Sequence, residues 1–207
     1  MKMKLRILIY LLTFFSVTSV SAQQTPNEKQ ARRIFDEAYE KVFGPQGCSL
    51  EYKVNLLGLY KTEGSVWFKE KKQKYLSKAS NGWNDGVTSY IVKNRKKVVE
   101  IHHATKKNKH EDKFEFHADN YSYHIATDPK GLLITLKAKK GVKGPKEVRA
   151  LLDRSTYAPI HVKAKIGIIW ANIAVSNFHS GDVSDEVFVF PRAKYSQYKF
   201  VDKRSED

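Results

Sequence analysis

From Leu50 onward the chain repeats one pattern: a short run of alternating apolar and polar residues, then a turn, about every ten residues. Leu50, Tyr52, Val54 and Leu56 alternate with Glu51, Lys53 and Asn55, so that strand has one wet face. The turn Lys61–Gly64 leads to Ser65–Lys69, Lys74–Ala79 returns, and Asn81–Gly86 turns again. Thr88–Val92 and Val98–His103 flank the basic turn at Lys93–Lys96, and Tyr121–Thr127 joins Leu132–Ala138 through Asp128-Pro129-Lys130-Gly131. Val148–Asp153 and Ile160–Ile166 follow, then the long run Ile168–Phe178 and a last one at Val187–Phe190. Such spacing predicts an antiparallel meander of roughly ten strands, each with one apolar face to cover. The stretch Lys109–Asn120 fits either a strand, through Phe114 and Phe116, or a short helix.

Ahead of the strands lies one segment with a different period. Ala31, Ile34, Phe35, Ala38, Tyr39, Val42 and Phe43 form a stripe along one helical face. Thr25 and Glu28 make a capping box, Pro26 suits the first helical position, and Gly44-Pro45 stops the helix. The expected fold is therefore mainly β: a strongly curved sheet wrapping an N-terminal amphipathic helix over about 26–43, with a hollow between them.

The first 22 residues stand apart. Lys2, Lys4 and Arg6 precede an apolar run from Ile7 to Phe15, and Val20-Ser21-Ala22 ends in small residues. This predicts a secretory signal peptide cut after Ala22, an exported (periplasmic) location, and a mature chain of 185 residues, 23–207, forming one domain. The mature chain keeps 34 Lys and Arg against 22 Asp and Glu, a net charge of +12. The bases cluster in 93–97, 106–109 and 137–146. Export argues against nucleic acid as their partner. Solvated strand edges and hairpin tips are one reading, and attraction to anionic membrane head groups is another.

Motifs for catalysis are missing: there is no G-x-S-x-G, H-E-x-x-H, C-x-x-C or phosphate-binding glycine loop. This favours a binding protein over an enzyme such as a hydrolase, with no cofactor and no metal. His102, His103, His110, His117 and His124 cluster, but His102 and His103 point to opposite faces of a strand. The single Cys48 reads as a small core residue. Trp83, held between Asn-Gly and Asp-Gly in SNGWNDG, is the odd feature, because a large ring is placed where surface turns are expected.

Taken in order, the capped helix, EGSVWFKEKKQKYL with GWNDGVTSYIV, then DRSTYAPIHV, then SNFHSGDVSDEVFVFP resemble the periplasmic outer-membrane lipoprotein carriers, the LolA-like family, in a Bacteroidetes-type form. The resemblance spans nearly all of the mature chain. It implies a half-open antiparallel β-barrel with a helical lid, and a monomer that carries lipoprotein acyl chains or a similar lipid toward the outer membrane. It also implies an inner-membrane releasing complex as donor and an outer-membrane acceptor. It matches Asp85-Gly86 and Tyr90 to the family's Asp-Gly hairpin and following aromatic, and Phe188 and Phe190 to its final Phe-x-Phe strand. It would place Trp83 and Tyr90 at the mouth of the barrel. Two departures stand out: Lys69–Lys72 where the family has a lid-locking arginine, and no clear helix at 109–120.

By alternation phase, Val54, Leu56, Phe68, Leu136, Ile160, Val162 and Ile173 share the apolar face of the strands, as Ile34, Phe35 and Tyr39 share that of the helix. The expectation is that the two sets face each other across one apolar pocket; an ordinary closed core is the alternative. A non-carrier envelope module that binds anionic lipid or polymer through the basic surface is the alternative function. N-terminal sequencing of the protein expressed in its host should find Gln23 first; Met1 retained in a membrane fraction would overturn the export reading.

Overall fold

The computed structural model describes residues 24–56, 60–104 and 117–205. The signal segment, His110 and most of 109–120 lie outside them. Within them the expected helix, α1, runs Pro26–Phe43. The Thr25 hydroxyl accepts the N–H of Glu28 at 3.2 Å, one half of the capping box. The other half differs. The Glu28 carboxylate accepts the N–H of Tyr123 at 3.4 Å, on an edge strand of the sheet, and Asn27 binds that strand at Ile125 through both its N–H and its C=O (3.0 and 2.9 Å). Polar residues of the first turn thus satisfy edge backbone groups that would otherwise invite another chain. At the far end, Glu70 N–H donates to the Phe43 carbonyl at 3.1 Å and the Ser180 hydroxyl to that of Lys41 at 3.1 Å.

Twelve strands follow: β1 Cys48–Leu56, β2 Tyr60–Lys69, β3 Lys72–Ser77, β4 Ser80–Asn84, β5 Thr88–Lys93, β6 Val98–His103, β7 Tyr121–Asp128, β8 Gly131–Ala138, β9 Glu147–Leu152, β10 Pro159–Ile166, β11 Ile169–Ser180 and β12 Lys199–Asp202. They form one sheet in the order β12-β6-β5-β4-β3-β2-β1-β11-β10-β9-β8-β7. The sheet does not close on itself; β7 and β12 are its edges. All pairings are antiparallel except β12 with β6. This is the mainly β, half-open architecture expected, with one α-helix among the described residues.

Several local expectations are corrected. Residues 61–64 lie inside β2, paired with β1, and 81–84 belong to β4, so Trp83 sits on a strand. Val187–Phe190 is not a strand. Ser184 caps a 3-10 turn over Asp185–Phe188 by accepting the Glu186 N–H, and this bends the segment out of the sheet. The alternation there has another origin: Phe188 is buried and Val189 exposed on a turn. A second 3-10 turn, Arg192–Tyr195, leads into β12.

The ladder register decides which side chains share a face, because directly paired residues point the same way. Val54 pairs with Ile173, Ile173 with Val162, Val162 with Ala150 and Ala150 with Ile134, an apolar row under the helix. Tyr75 also lies on this helix face, paired with Val66, and its ring lies across Gly82, where a Cβ would meet it at 2.1 Å. Lys74, one residue away, therefore faces outward, and it pairs with Trp83, which pairs with Tyr90. On that outer face Trp83, Val92 and Val99 pack with Phe190, Tyr195, Tyr198 and Phe200 of the C-terminal segment.

The β9–β10 turn depends on one carboxylate. Asp153 Oδ1 accepts from the Thr156 and Ser155 N–H groups (2.8 and 3.0 Å) and from both hydroxyls (2.9 and 2.7 Å), which holds its acid well below the usual carboxylate range. A depressed pKa contributes stability that is present above the unfolded value, about 4, and is lost as pH falls through the folded value. Asp153→Asn should thus be less stable than wild type at neutral pH, and the gap should shrink progressively below pH about 4. Urea unfolding of both proteins across that range checks it; a constant gap would show that the charge is irrelevant.

Candidate functional site: an apolar cavity under the helix

The stripe on α1 meets the sheet in two ways. Toward the N-terminal half, Ala31, Ile34 and Ala38 pack with Tyr121, Tyr123, Ile134, Leu136, Ala150 and Leu152 of β7–β9 into a closed core in which Ile34 is 1% exposed. Arg32 anchors this end, bonding to Asp119 at 2.8 Å and to Asp36 at 2.7 Å. The Arg32 bond holds the Asp119 acid below its ordinary range. Toward the C-terminal half the packing opens. A cavity of about 590 Å³ lies between Phe35, Tyr39, Val42 and Phe43 of the helix and the strands β1–β3 and β9–β11. Its volume falls within the range of small-molecule sites.

The cavity wall is built from the cross-strand rows. β1 supplies Leu50, Tyr52 and Val54; β2 Val66 and Phe68; β3 Gln73 and Tyr75. From the other side come Val148, Ala150 and Leu152, then Pro159 and Val162, then Ile173 and Val175. No charged side chain lines the cavity, and Gln73 with the hydroxyls of Tyr39, Tyr52 and Tyr75 are the polar exceptions. Burial pushes the Tyr75 phenol up. Aromatic contacts run along the lid, from Phe35 to Tyr39 (6.0 Å between ring centres), Tyr39 to Phe43 (4.7 Å) and Phe43 to Phe68 across the gap (4.9 Å). Tyr39 stays 43% exposed, which an apolar stripe residue in a closed core would not.

Of the residues singled out by sequence, Phe35, Tyr39, Val54, Phe68, Val162 and Ile173 come together around this cavity. Ile34 and Leu136 lie in the closed core beside it. Leu56 has the right phase but sits half-buried at the end of β1, outside the lining. Ile160 is displaced by a β-bulge between Pro159 and His161: Pro159 pairs with Leu152 and takes the cavity face. Trp83 and Tyr90 are not at a mouth. They lie on the opposite face, Trp83 only 4% exposed, with Phe190 stacked on Tyr90 at 4.4 Å and edge-on to Trp83 at 5.5 Å. Phe188 is buried in its 3-10 turn, outside the lining. Sequence reasoning passed over Leu50 and Tyr52, although both share the phase of Val54; it had no signal for the bulge at Pro159.

The lysines that stand in place of a lid-locking arginine bind elsewhere. Lys69 and Lys72 each reach Asp185 at 2.9 Å, and Lys69 also donates to the Val183 carbonyl. They tie down the C-terminal segment. The helix end is held instead by the backbone of Glu70. Cys48 is fully buried, and burial pushes its thiol up to about 11, which suits a packing role. Among the described residues no group of three His, Cys, Asp or Glu is placed to hold a metal ion.

No family model and no curated protein matches the chain. Solved structures do. An uncharacterized conserved protein from Thermus thermophilus aligns over 84% of this chain and 99% of its own, at 9% identity and a TM-score of 0.56. That likeness shows the fold. LolA-superfamily and lipoprotein-sorting proteins are also among the similar structures. A putative outer membrane lipoprotein-sorting domain from Vibrio parahaemolyticus (82% and 99% covered, 10% identity, TM-score 0.44) and a LolA superfamily protein from Nitrosomonas europaea (77% and 97%, 8%, 0.36) overlap more loosely and add nothing to it.

The two halves of the helix interface should respond differently to substitution. Leu136→Ala, in the closed half, should cost about 2–5 kcal/mol. Val162→Phe, facing the cavity, should change stability by less than the 1–3 kcal/mol of an overpacked core, roughly 1 kcal/mol at most. Chemical unfolding of the two variants measures both; an equally large loss in Val162→Phe would mean that the space closes in solution.

Proposed function

We propose that this chain is an exported lipid-binding carrier that holds acyl chains, of a lipoprotein or a similar lipid, between α1 and the sheet. The observation that supports it is a cavity of about 590 Å³ whose lining is apolar and free of charge, beneath a helix anchored mainly at its N-terminal half. Burying about ten methylenes there would supply about 8 kcal/mol before the costs of association. Beyond Gln73 and the tyrosine hydroxyls, polar head groups find no partner in such a wall and no charge, so the chemistry favours chains over heads. The reading is of a binding protein, not an enzyme, and needs no cofactor.

Release has a physical basis in the same arrangement. Phe35, Tyr39 and Phe43 line the cavity from the helix side, where a guest that outgrows about 590 Å³ would push against them. A longer guest would have to displace them, and that cost would offset part of the burial. Delivery toward an outer-membrane acceptor, and loading by an inner-membrane complex, belong to this proposal and rest on the resemblance.

Affinity for a fluorescent long-chain acyl probe tests it. Wild type should bind, Val162→Phe should bind less, and Phe35→Ala should bind more tightly while losing less stability than the 3–5 kcal/mol of a core phenylalanine. Native mass spectrometry of protein from its own envelope should show bound acyl species. No probe binding in any of the three proteins would overturn the proposal.

A further inference from the structure

The meander sorts its connections into two rims. On one lie the β3–β4 turn, the β5–β6 turn, the β8–β9 connection and the tip of the β10–β11 hairpin. The register places them together: Leu56 at the end of β1 pairs with Ala171 at the start of β11, and Lys165 near the end of β10 with Glu147 at the start of β9. These four connections hold Lys78, three bases in Arg95–Lys97 and four lysines in Lys139–Lys146, without one carboxylate. Among the described residues two carboxylates border this rim, Asp119 in the turn before β7, paired with Arg32, and Glu147 at the start of β9, paired with Arg149. The opposite rim mixes both signs in its turns, Asp85, Asp128 and Asp153 with Lys71, Lys130 and Arg154. Two of the three basic runs, 93–97 and 137–146, far apart in sequence, are therefore gathered at one end of the fold; the third, 106–109, lies outside the described residues.

At that same end the β10–β11 hairpin projects an apolar tip. Gly167 turns with φ +61°, Ile168 is 92% exposed and Ile169 43% exposed. Trp170 stands behind them, with the Arg149 guanidinium 5.0 Å and the Lys165 ammonium 6.0 Å from its ring centre. No core contact accounts for Ile168 at a hairpin tip, where polar residues cost nothing. Isoleucine at the apex, tryptophan at the base and a collar of lysines match the layers of a membrane interface: acyl boundary, carbonyl level and anionic head groups.

We infer that this rim docks on an anionic lipid surface, with Ile168 and Ile169 inserted to the acyl boundary and the lysine collar on the head groups. This goes beyond the cavity and does not depend on it; a protein with no cargo would still dock. The collar confers attraction that salt screens, while the isoleucines confer a part that salt does not.

The test uses vesicles of equal parts phosphatidylcholine and phosphatidylglycerol, with binding read by sedimentation and by Trp170 fluorescence. Wild type should bind them, and binding to phosphatidylcholine alone should be far weaker. Ile168→Asp should weaken binding about tenfold or more, since burying an isoleucine side chain is worth about 1.5–3 kcal/mol. Val87→Asp is the matched control: Val87 is 75% exposed but sits on the opposite rim, in the β4–β5 turn, and its loss should change nothing. Lys139→Gln with Lys140→Gln and Lys143→Gln should weaken binding and flatten its salt dependence. Thermal unfolding and acyl-probe affinity should be unchanged in all of these, which separates docking from the cavity. Equal binding by wild type and Ile168→Asp, equal losses in Ile168→Asp and Val87→Asp, or capture of soluble acidic polymer without vesicles would overturn the inference.

Discussion

The apolar stripe of α1 is longer than the surface that closes on it, and the rest of the structure follows from that mismatch. Ala31, Ile34 and Ala38 find a fitted partner in β7–β9, whereas Tyr39, Val42 and Phe43 border the cavity, with Val42 against Cys48, Leu50 and Val66 and Phe43 against Phe68. Hydrophobic burial at one end holds the helix in place, so incomplete burial at the other is tolerated. A helix whose whole stripe was covered would leave no cavity. One covered nowhere would not stay on the sheet.

The same economy explains how the sheet manages its faces and edges. Asn27 and Glu28 bond to the edge strand β7, so the helix start also protects an open edge. On the outer face of β4–β6, opposite the helix face, the C-terminal segment supplies Phe190, Tyr195 and Phe200 against Trp83 and Val99. Asp185, held low by Lys72 and Lys69, fixes the entry to that segment. The sheet is thus covered from opposite sides at its two ends, by the first and last parts of the described chain.

Much of this was legible in the amino-acid order. The helix and its cap could be read from local periodicity and residue chemistry, because both act within a turn or two. The inner row Val54, Val162 and Ile173 could be read from alternation, because a strand with one wet face declares its phase. Trp83 misled for the same local reason. The dipeptides around it are turn formers, yet ladder bonds to Lys74 and Tyr90 keep it in β4. The Phe188–Phe190 alternation misled because a 3-10 turn capped by Ser184 can also space buried and exposed residues by one.

What the sequence determined by itself was the set of elements: one amphipathic helix, a meander of one-faced strands, and the composition of the faces. What only the tertiary structure decided was parity and neighbourhood. A single register step placed Trp83 opposite Lys74 and so outside the cavity, and one bulge exchanged Ile160 for Pro159. The order of the strands brought Lys78, Lys96 and Lys143 to the same rim as Ile168. The physical reason is the length scale. Propensity, capping and alternation act over a few residues, whereas facing and clustering arise from hydrogen-bonded pairs far apart in the chain, and each pair reverses or preserves a side with a shift of one residue.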